Sequence, residues 1–309
     1  MKILIELPTW LGDAVMATPA IENLLNVFND SEITLIGSFV AIETLKNHPI
    51  VTKAYVLEKN YLNLYNIVKN FGEFDVFFSF RDTFRSKFIK FLISSKRKYQ
   101  FDKKKFINTH QVEKYNNFIN DCLGTNLIPG NLSINIGIKL SNANEFPILG
   151  INPGASYGDA KRWYPEEFAK VAAQLSNKYN ILIFGGPNEI NIAEEIENLL
   201  IKKGIVNYQN LAGKTSIAEL IKKISKLDLF ITGDTGPMHL AASFQVPTVA
   251  LFGPTQDRET SQWLNEKSII IKKNLECQPC MKRKCPLNHH HCMKLITAEE
   301  VLQATQSIN

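Results

Sequence analysis

Short apolar runs alternate with stretches of helical spacing along almost the whole chain. KILIEL at 2–7 is a β-branched and leucine run, PTWLGD is turn-prone, and AVMATPAIENLLNVF sets apolar residues at helical intervals, so the chain opens as strand, loop and helix. EITLIG and FDVFFSF read as further strands, with YLNLYNIVKNF as a helix between them. Near residue 146 the pattern restarts, with FPILGINPGASYGDAKRWYPEEFAKVAAQL giving strand, glycine-bearing loop and helix, Pro165 suiting the first helical turn. YNILIFGG, IVNYQNLAG, DLFITGD and PTVALFGPT follow as strands, alternating with the helical EINIAEEIENLLIKKG, SIAELIKKISK and GPMHLAASFQ.

This alternation predicts the α/β class with two Rossmann-like, doubly wound domains, 1–145 and 146–309, facing a central cleft lined by the C-terminal ends of both sheets. The C-terminal helix is allowed to pack back on the first domain. A length of 309 residues suits two such domains, and 45% hydrophobic and 21% charged residues exclude a disordered or fibrous chain. Glu6, Pro8 and Asp13 interrupt the apolar N-terminus where a signal peptide needs continuity, and no stretch approaches the ~20 apolar residues that span a bilayer. A cytoplasmic protein with at most peripheral membrane contact is expected. A net charge of +5 fits an anionic ligand or surface without requiring nucleic acid, although a solvated lysine-rich face would give the same figure.

The strand-to-helix loops carry the candidate chemistry. Asp13 follows Gly12 at the start of a predicted helix and can be an N-cap or a general base for an acceptor hydroxyl. NPGASYGDAKRWYP brings backbone amides, small residues and the cations Lys161 and Arg162, a set suited to phosphate or merely to solvent. GDTGPMH at 233–239 leads flexible backbone into a helix N-terminus, whose free N–H groups and positive dipole end attract an anion; His239 lies on the first turn, close enough to donate. Asp234 would repel a phosphate, so it is expected to brace the loop or cap the helix. The triplet DTG also occurs in aspartic proteases, but no second acidic triplet and no β-rich pattern accompany it. Glu189 in GGPNE can accept from ribose hydroxyls or cap a helix. Neither G-x-G-x-x-G after the first strand nor G-x-x-x-x-G-K-[ST] is present, which disfavours dehydrogenase and P-loop readings.

Four of five cysteines fall in CQPCMKRKCPLNHHHC, as Cys277, Cys280, Cys285 and Cys292, with three histidines in the last gap. The spacing allows a metal knuckle, local disulfides or free thiols. Cys122 reads as a core residue.

LPTWLGDAVMATPAI, NPGASYGDAKRWYPEEFA and GDTGPMHLAASFQVPTVALFGPT together resemble the ADP-heptose:lipopolysaccharide heptosyltransferases of glycosyltransferase family 9, and CQPCMKRKCPLNHHHCM is similar to a segment of the heptosyltransferase II subgroup. The resemblance covers nearly the whole chain. It implies a GT-B architecture, with the acceptor bound mainly by the first domain and the nucleotide sugar by the second. It implies inverting transfer, with no metal or other cofactor required, of heptose from ADP-L-glycero-β-D-manno-heptose onto a heptose of the lipopolysaccharide inner core, the acceptor being a heptosyl-Kdo-lipid A. By residue it implies Asp13 as base, Lys161 as a phosphate contact, Glu189 as the ribose-side acid, and Asp234, Thr235, Gly236 and His239 as the diphosphate loop. Heptosyltransferase I, another family 9 transferase, or a non-catalytic nucleotide-sugar-binding protein are the alternatives.

Basic residues crowd 81–105, namely Arg81, Arg85, Lys87, Lys90, Lys96, Arg97, Lys98 and Lys103 to Lys105, interleaved with Phe84, Phe88 and Phe91. Arg81 and Arg85 are candidate contacts for acceptor phosphates, and the region is a candidate for the cytoplasmic face of the inner membrane. A solvated basic helix beside core phenylalanines is the competing reading.

Overall fold

The computed structural model describes residues 1–58, 60–137 and 146–308. The chain divides into two compact units, Met1–Ile138 and Lys139–Asn309. The boundary expected at 145/146 abuts residues 138–145, which lie outside the described residues.

In the first unit, β1 (Lys2–Glu6), β2 (Glu32–Gly37), β3 (Val51–Val56), β4 (Glu73–Ser79) and β5 (Ser94–Gln100) form a parallel sheet in the order β3-β2-β1-β4-β5. The inner strands β1, β2 and β4 are almost wholly buried, as strands with both faces covered must be, and their sequences are near-continuous apolar runs. The edge strands read differently. β5 is SSKRKYQ, and lysines on an edge deter pairing with another chain. The basic stretch 81–105 is thus spread over a helix, Phe84–Leu92, this edge strand, and the loops that hold Arg81 and Lys103 to Lys105. Several of its cations are taken: Lys96 Nζ lies 2.8 Å from Asp75, Lys105 Nζ 2.6 Å from Asp121 and Lys87 Nζ 3.7 Å from Asp82. Leu4, Ile36, Leu64, Phe77 and Ile89 centre one core of the unit.

The helix expected from Ala14 onward is two helices, Leu11–Met16 and Thr18–Val27, with Pro19 in the first turn of the second.

In the second unit, β6 (Ile148–Asn152), β7 (Asn180–Ile183), β8 (Tyr208–Asn210), β9 (Leu229–Gly233), β10 (Thr248–Phe252) and β11 (Ser268–Lys272) are ordered β11-β10-β9-β6-β7-β8, all parallel. Counted from β6, this is the 3-2-1-4-5-6 order of a doubly wound dinucleotide-type fold. β9 and β10 are buried at every position. The last helix, Ala298–Ile308, packs on Pro165–Leu175, β10 and β11, and Val301 and Ala304 join the core of the second unit.

Candidate active site

Open α/β sheets take ligands at the carboxyl ends of their strands where the winding direction reverses. In the first unit that point lies between β1 and β4, whose last residues, Glu6 and Ser79, are register partners. Glu6 is fully buried, and a buried carboxylate needs bonds to stay there. Ser79 Oγ donates to its Oε2 at 2.6 Å, Ser86 Oγ to its Oε1 at 3.1 Å, and Arg81 Nη1 to Oε1 at 3.4 Å. Burial nevertheless dominates and raises the affinity of Glu6 for its proton, with the Ser79 bond and the charge of Arg81 opposing.

The two loops that leave this point carry the first-unit candidates. Asp13 is the third residue of helix Leu11–Met16 and is half-buried; the N-cap position belongs to Trp10, not to Asp13. Its carboxylate is near the buried Tyr115, whose phenol titrates well above its usual range because of burial first and the charge of Asp13 second. Arg81 follows β4 and is tied to Glu6. Arg85 donates to the Glu58 carbonyl, and its hold on its proton is lowered by burial and then by the charge of Arg81.

In the second unit the reversal lies between β6 and β9, where Asn152 and Thr232 are register partners. Asn152 Nδ2 reaches the Gly154 carbonyl, Thr232 Oγ1 and Thr235 Oγ1, each at 3.4 Å, and the two threonine hydroxyls are 3.0 Å apart. These bonds fasten the loop after β6 to the loop after β9. Thr235 is the N-cap residue of helix Gly236–Ser243 but makes no side-chain cap bond, its hydroxyl being engaged with Thr232. Pro237 occupies the first turn, and His239, the fourth residue, is 3% exposed.

Lys161 is the fixed cation of the site. Its Nζ lies 2.5 Å from Asp234 Oδ2 and 3.1 Å from the Asp234 carbonyl, and it sits 4.8 Å from the centre of the Tyr157 ring. Asp234 Oδ2 also accepts from Thr255 Oγ1 at 2.7 Å. Asp234 therefore braces the loop, one of the two roles expected for it, and does not cap the helix. Arg162, its sequence neighbour, turns away to Asp159 Oδ1 at 2.8 Å.

Glu189 is buried and accepts from the Gly186 N–H at 2.7 Å. Its carboxylate lies against Gly154, where an added Cβ would come within 2.1 Å of Glu189 Cδ. A side chain at 154 would displace the carboxylate from its present place.

The five cysteines are free thiols, and Cys277, Cys280, Cys285 and Cys292 line one small cavity with Ala160, Pro254, His289 and His290. Among the described residues, no group of three or more His, Cys, Asp or Glu side chains is placed to hold a metal ion. Cys292 is pushed up to about 11 by burial and then by its thiol neighbours, whereas N–H groups around Cys285, that of His290 first, lower its titration. Cys122, half-buried, is pushed up to about 12, chiefly by burial.

Sequence reasoning missed Glu6, Ser79, Ser86, Asn152, Thr232, Tyr157 and Thr255. Glu6 had a signal, since an acid closing an otherwise apolar strand demands a partner; the other residues had none before the strand order was in hand.

A pair of doubly wound parallel sheets, one bearing a fixed cation and a helix N-terminus at its reversal point, defines a two-unit α/β protein suited to binding an anionic ligand. Comparison with known proteins narrows it. Residues 73–291 match glycosyltransferase family 9 (heptosyltransferase). The lipooligosaccharide heptosyltransferase 2 of Campylobacter jejuni subsp. jejuni serotype O:2 is 42% identical over 317 residues, spanning 100% of this chain and 98% of that one. The structure of E. coli ADP-heptose LPS heptosyltransferase II superposes with a TM-score of 0.84 at 21% identity, covering 100% of this chain and 98% of that chain. E. coli heptosyltransferase WaaC with ADP-2-deoxy-2-fluoro heptose gives 0.75 at 16% identity, covering 100% of each chain. At these identities the two structures bear on the fold, which is the α/β GT-B class. The chain belongs to glycosyltransferase family 9, the heptosyltransferases.

Proposed function

We propose that the chain transfers L-glycero-D-manno-heptose from ADP-heptose to a heptose of the lipopolysaccharide inner core, by an inverting single displacement that needs no metal. The observation that carries the reading is Lys161, a cation held by Asp234 beside the N-terminus of helix Gly236–Ser243. A departing ADP develops negative charge, and a preorganised ammonium with helix-terminal amides stabilises that charge with little rearrangement. Relatives named for lipooligosaccharide heptosyltransferase 2, and a neighbour named for ADP-heptose, support the donor and acceptor class.

Asp13 is the proposed base for the acceptor hydroxyl, as a carboxylate following the β1 reversal point. His239, Thr235, Gly236 and Glu189 are the remaining proposed donor contacts. Arg81, paired with Glu6 at 3.4 Å, and Arg85, bonded to the Glu58 carbonyl, are the proposed contacts for acceptor phosphates.

Among the described residues no helix is long and apolar enough to cross a membrane. Peripheral contact at the cytoplasmic face of the inner membrane is proposed for helix Phe84–Leu92, where Phe84 is 81% and Phe91 80% exposed, with Lys87 on the same face.

The test is transfer from the β-configured ADP-heptose in the presence of a chelator, with the product's anomeric signal read by NMR. An α-linked product formed at an undiminished rate supports the reading. A β-linked product would refute inversion, and loss of activity on chelation would refute metal independence.

A further inference from the structure

The cysteine and histidine segment 277–292 has no part in the chemistry above, yet it touches both loops that hold the Lys161–Asp234 pair. Gln278 Nε2 donates to the Gly253 carbonyl at 2.7 Å, and Met281 N–H to the Pro254 carbonyl at 2.8 Å, one residue before Thr255. The Ala160 N–H donates to the Arg283 carbonyl at 3.1 Å, and Tyr157 OH to the Met281 carbonyl at 2.8 Å. Gly158 has φ of +155°, and a Cβ there would stand 2.5 Å from the Arg283 carbonyl, so backbone presses directly on backbone.

His290 closes the arrangement. Its Nε2 is 2.9 Å from the carbonyl of Ala160, the residue before Lys161. A carbonyl only accepts, so Nε2 carries the proton, and in the neutral ring Nδ1 then accepts from Tyr164 OH at 3.1 Å. The His290 backbone is left-handed, with φ of +52°, a conformation unfavourable for a residue bearing a Cβ that persists when surrounding contacts impose it. One such contact is its own N–H, which donates to Cys285 Sγ at 3.4 Å.

We propose that His290 is a positioning residue for the donor site: by holding the Ala160 carbonyl it fixes the backbone from which Lys161 reaches Asp234, and the segment 277–292 is the strap that carries it. This rests on the reading of Lys161 as a contact for the donor diphosphate. The ligand concerned is a nucleoside diphosphate, and the probe is ADP itself.

The experiment is a double-mutant cycle on the full chain, with ADP affinity measured by calorimetry and KM measured separately for ADP-heptose and acceptor. His290→Ala loses one hydrogen bond to a loop carbonyl, so ADP affinity falls and donor KM rises about tenfold, with acceptor KM unchanged. His290→Gln, whose amide can donate to the same carbonyl, restores most of the loss. In a Lys161→Ala background His290→Ala changes ADP affinity less than about twofold, because the group it positions is gone. Should His290→Ala not fold, His290→Gln and Tyr164→Phe carry the test, the latter weakening ADP binding in the wild-type background and not in Lys161→Ala. Wild-type ADP affinity in the His290 variants, additive losses in the cycle, or an equal rise in acceptor KM would overturn the proposal. Lys161→Ala with unchanged ADP affinity would instead remove the reading beneath it.

Discussion

Lys161 and Asp234, 73 positions apart, meet at 2.5 Å at the point where the winding of the second sheet reverses. Two oppositely charged groups, 11% and 6% exposed, hold each other in place, and Thr255 fixes the acid from its other side. The acid beside an expected anion site is thus accounted for: it orients the cation.

Asp234→Asn keeps the shape of the side chain and removes the charge that orients Lys161. A charge-assisted bond of this kind is worth about 1.5–3 kcal/mol, so donor KM should rise roughly 10- to 100-fold with acceptor KM unchanged. Steady-state kinetics with each substrate varied in turn checks this. A lower donor KM would mean that Asp234 acts mainly by repelling the diphosphate.

Asp13→Ala removes the proposed base and leaves Lys161, Asp234 and the other proposed donor contacts in place. A positioned base contributes about 10²–10⁴-fold, so kcat should fall by that factor while ADP binds with wild-type affinity. Single-turnover transfer and calorimetry with ADP measure the two. Full activity in the variant would take the role of base away from Asp13.

Glu6 makes stability depend on pH. Burial raises its proton affinity in the folded chain above its ordinary value of 4.5, so between that value and the folded one the native chain holds more protons than the unfolded chain. Stability therefore falls as pH rises through the window. Glu6→Gln lacks this titration, so its melting temperature relative to wild type should rise from about pH 4.5 upward. A difference that stays flat with pH would show that Ser79, Ser86 and Arg81 fully offset the burial. Glu6→Ala, which strands Arg81, should instead destabilise by about 3–5 kcal/mol.

Phe84 and Phe91 supply the apolar part of the proposed membrane contact. Burying a phenylalanine is worth about 1.5–3 kcal/mol, so Phe84→Ser with Phe91→Ser should cut binding to anionic vesicles at least tenfold and leave turnover of a soluble acceptor unchanged. Equal sedimentation of variant and wild type with vesicles would remove this face from the account.

The inner strands could be read in advance because both faces of β1, β4, β9 and β10 are covered, which forces continuous apolar runs such as LFITG and TVALF. The edge strands β3, β5 and β11 carry mixed patterns, and in SSKRKYQ charge masked strand altogether. The site was legible in part for the same reason. Lys161 and the 233–239 loop lie at strand ends, where an alternating pattern places them. Their partners do not follow from local pattern: His290 is 130 positions from Ala160, and Glu6 is 80 from Ser86. In the sequence Glu6 stood out only as an interruption of an apolar run. Its pairing with Ser79 depends on β4 lying beside β1, which spacing alone does not determine.

The central claim is heptose transfer from ADP-heptose onto an acceptor that already carries one heptose. The direct measurement gives the purified chain ADP-heptose with Kdo-lipid A acceptors bearing either no heptose or one, and weighs the products by mass spectrometry. The account predicts addition of one heptose to the monoheptosylated acceptor and none to the other. Transfer to the heptose-free acceptor, or ADP binding without transfer to either, would contradict it.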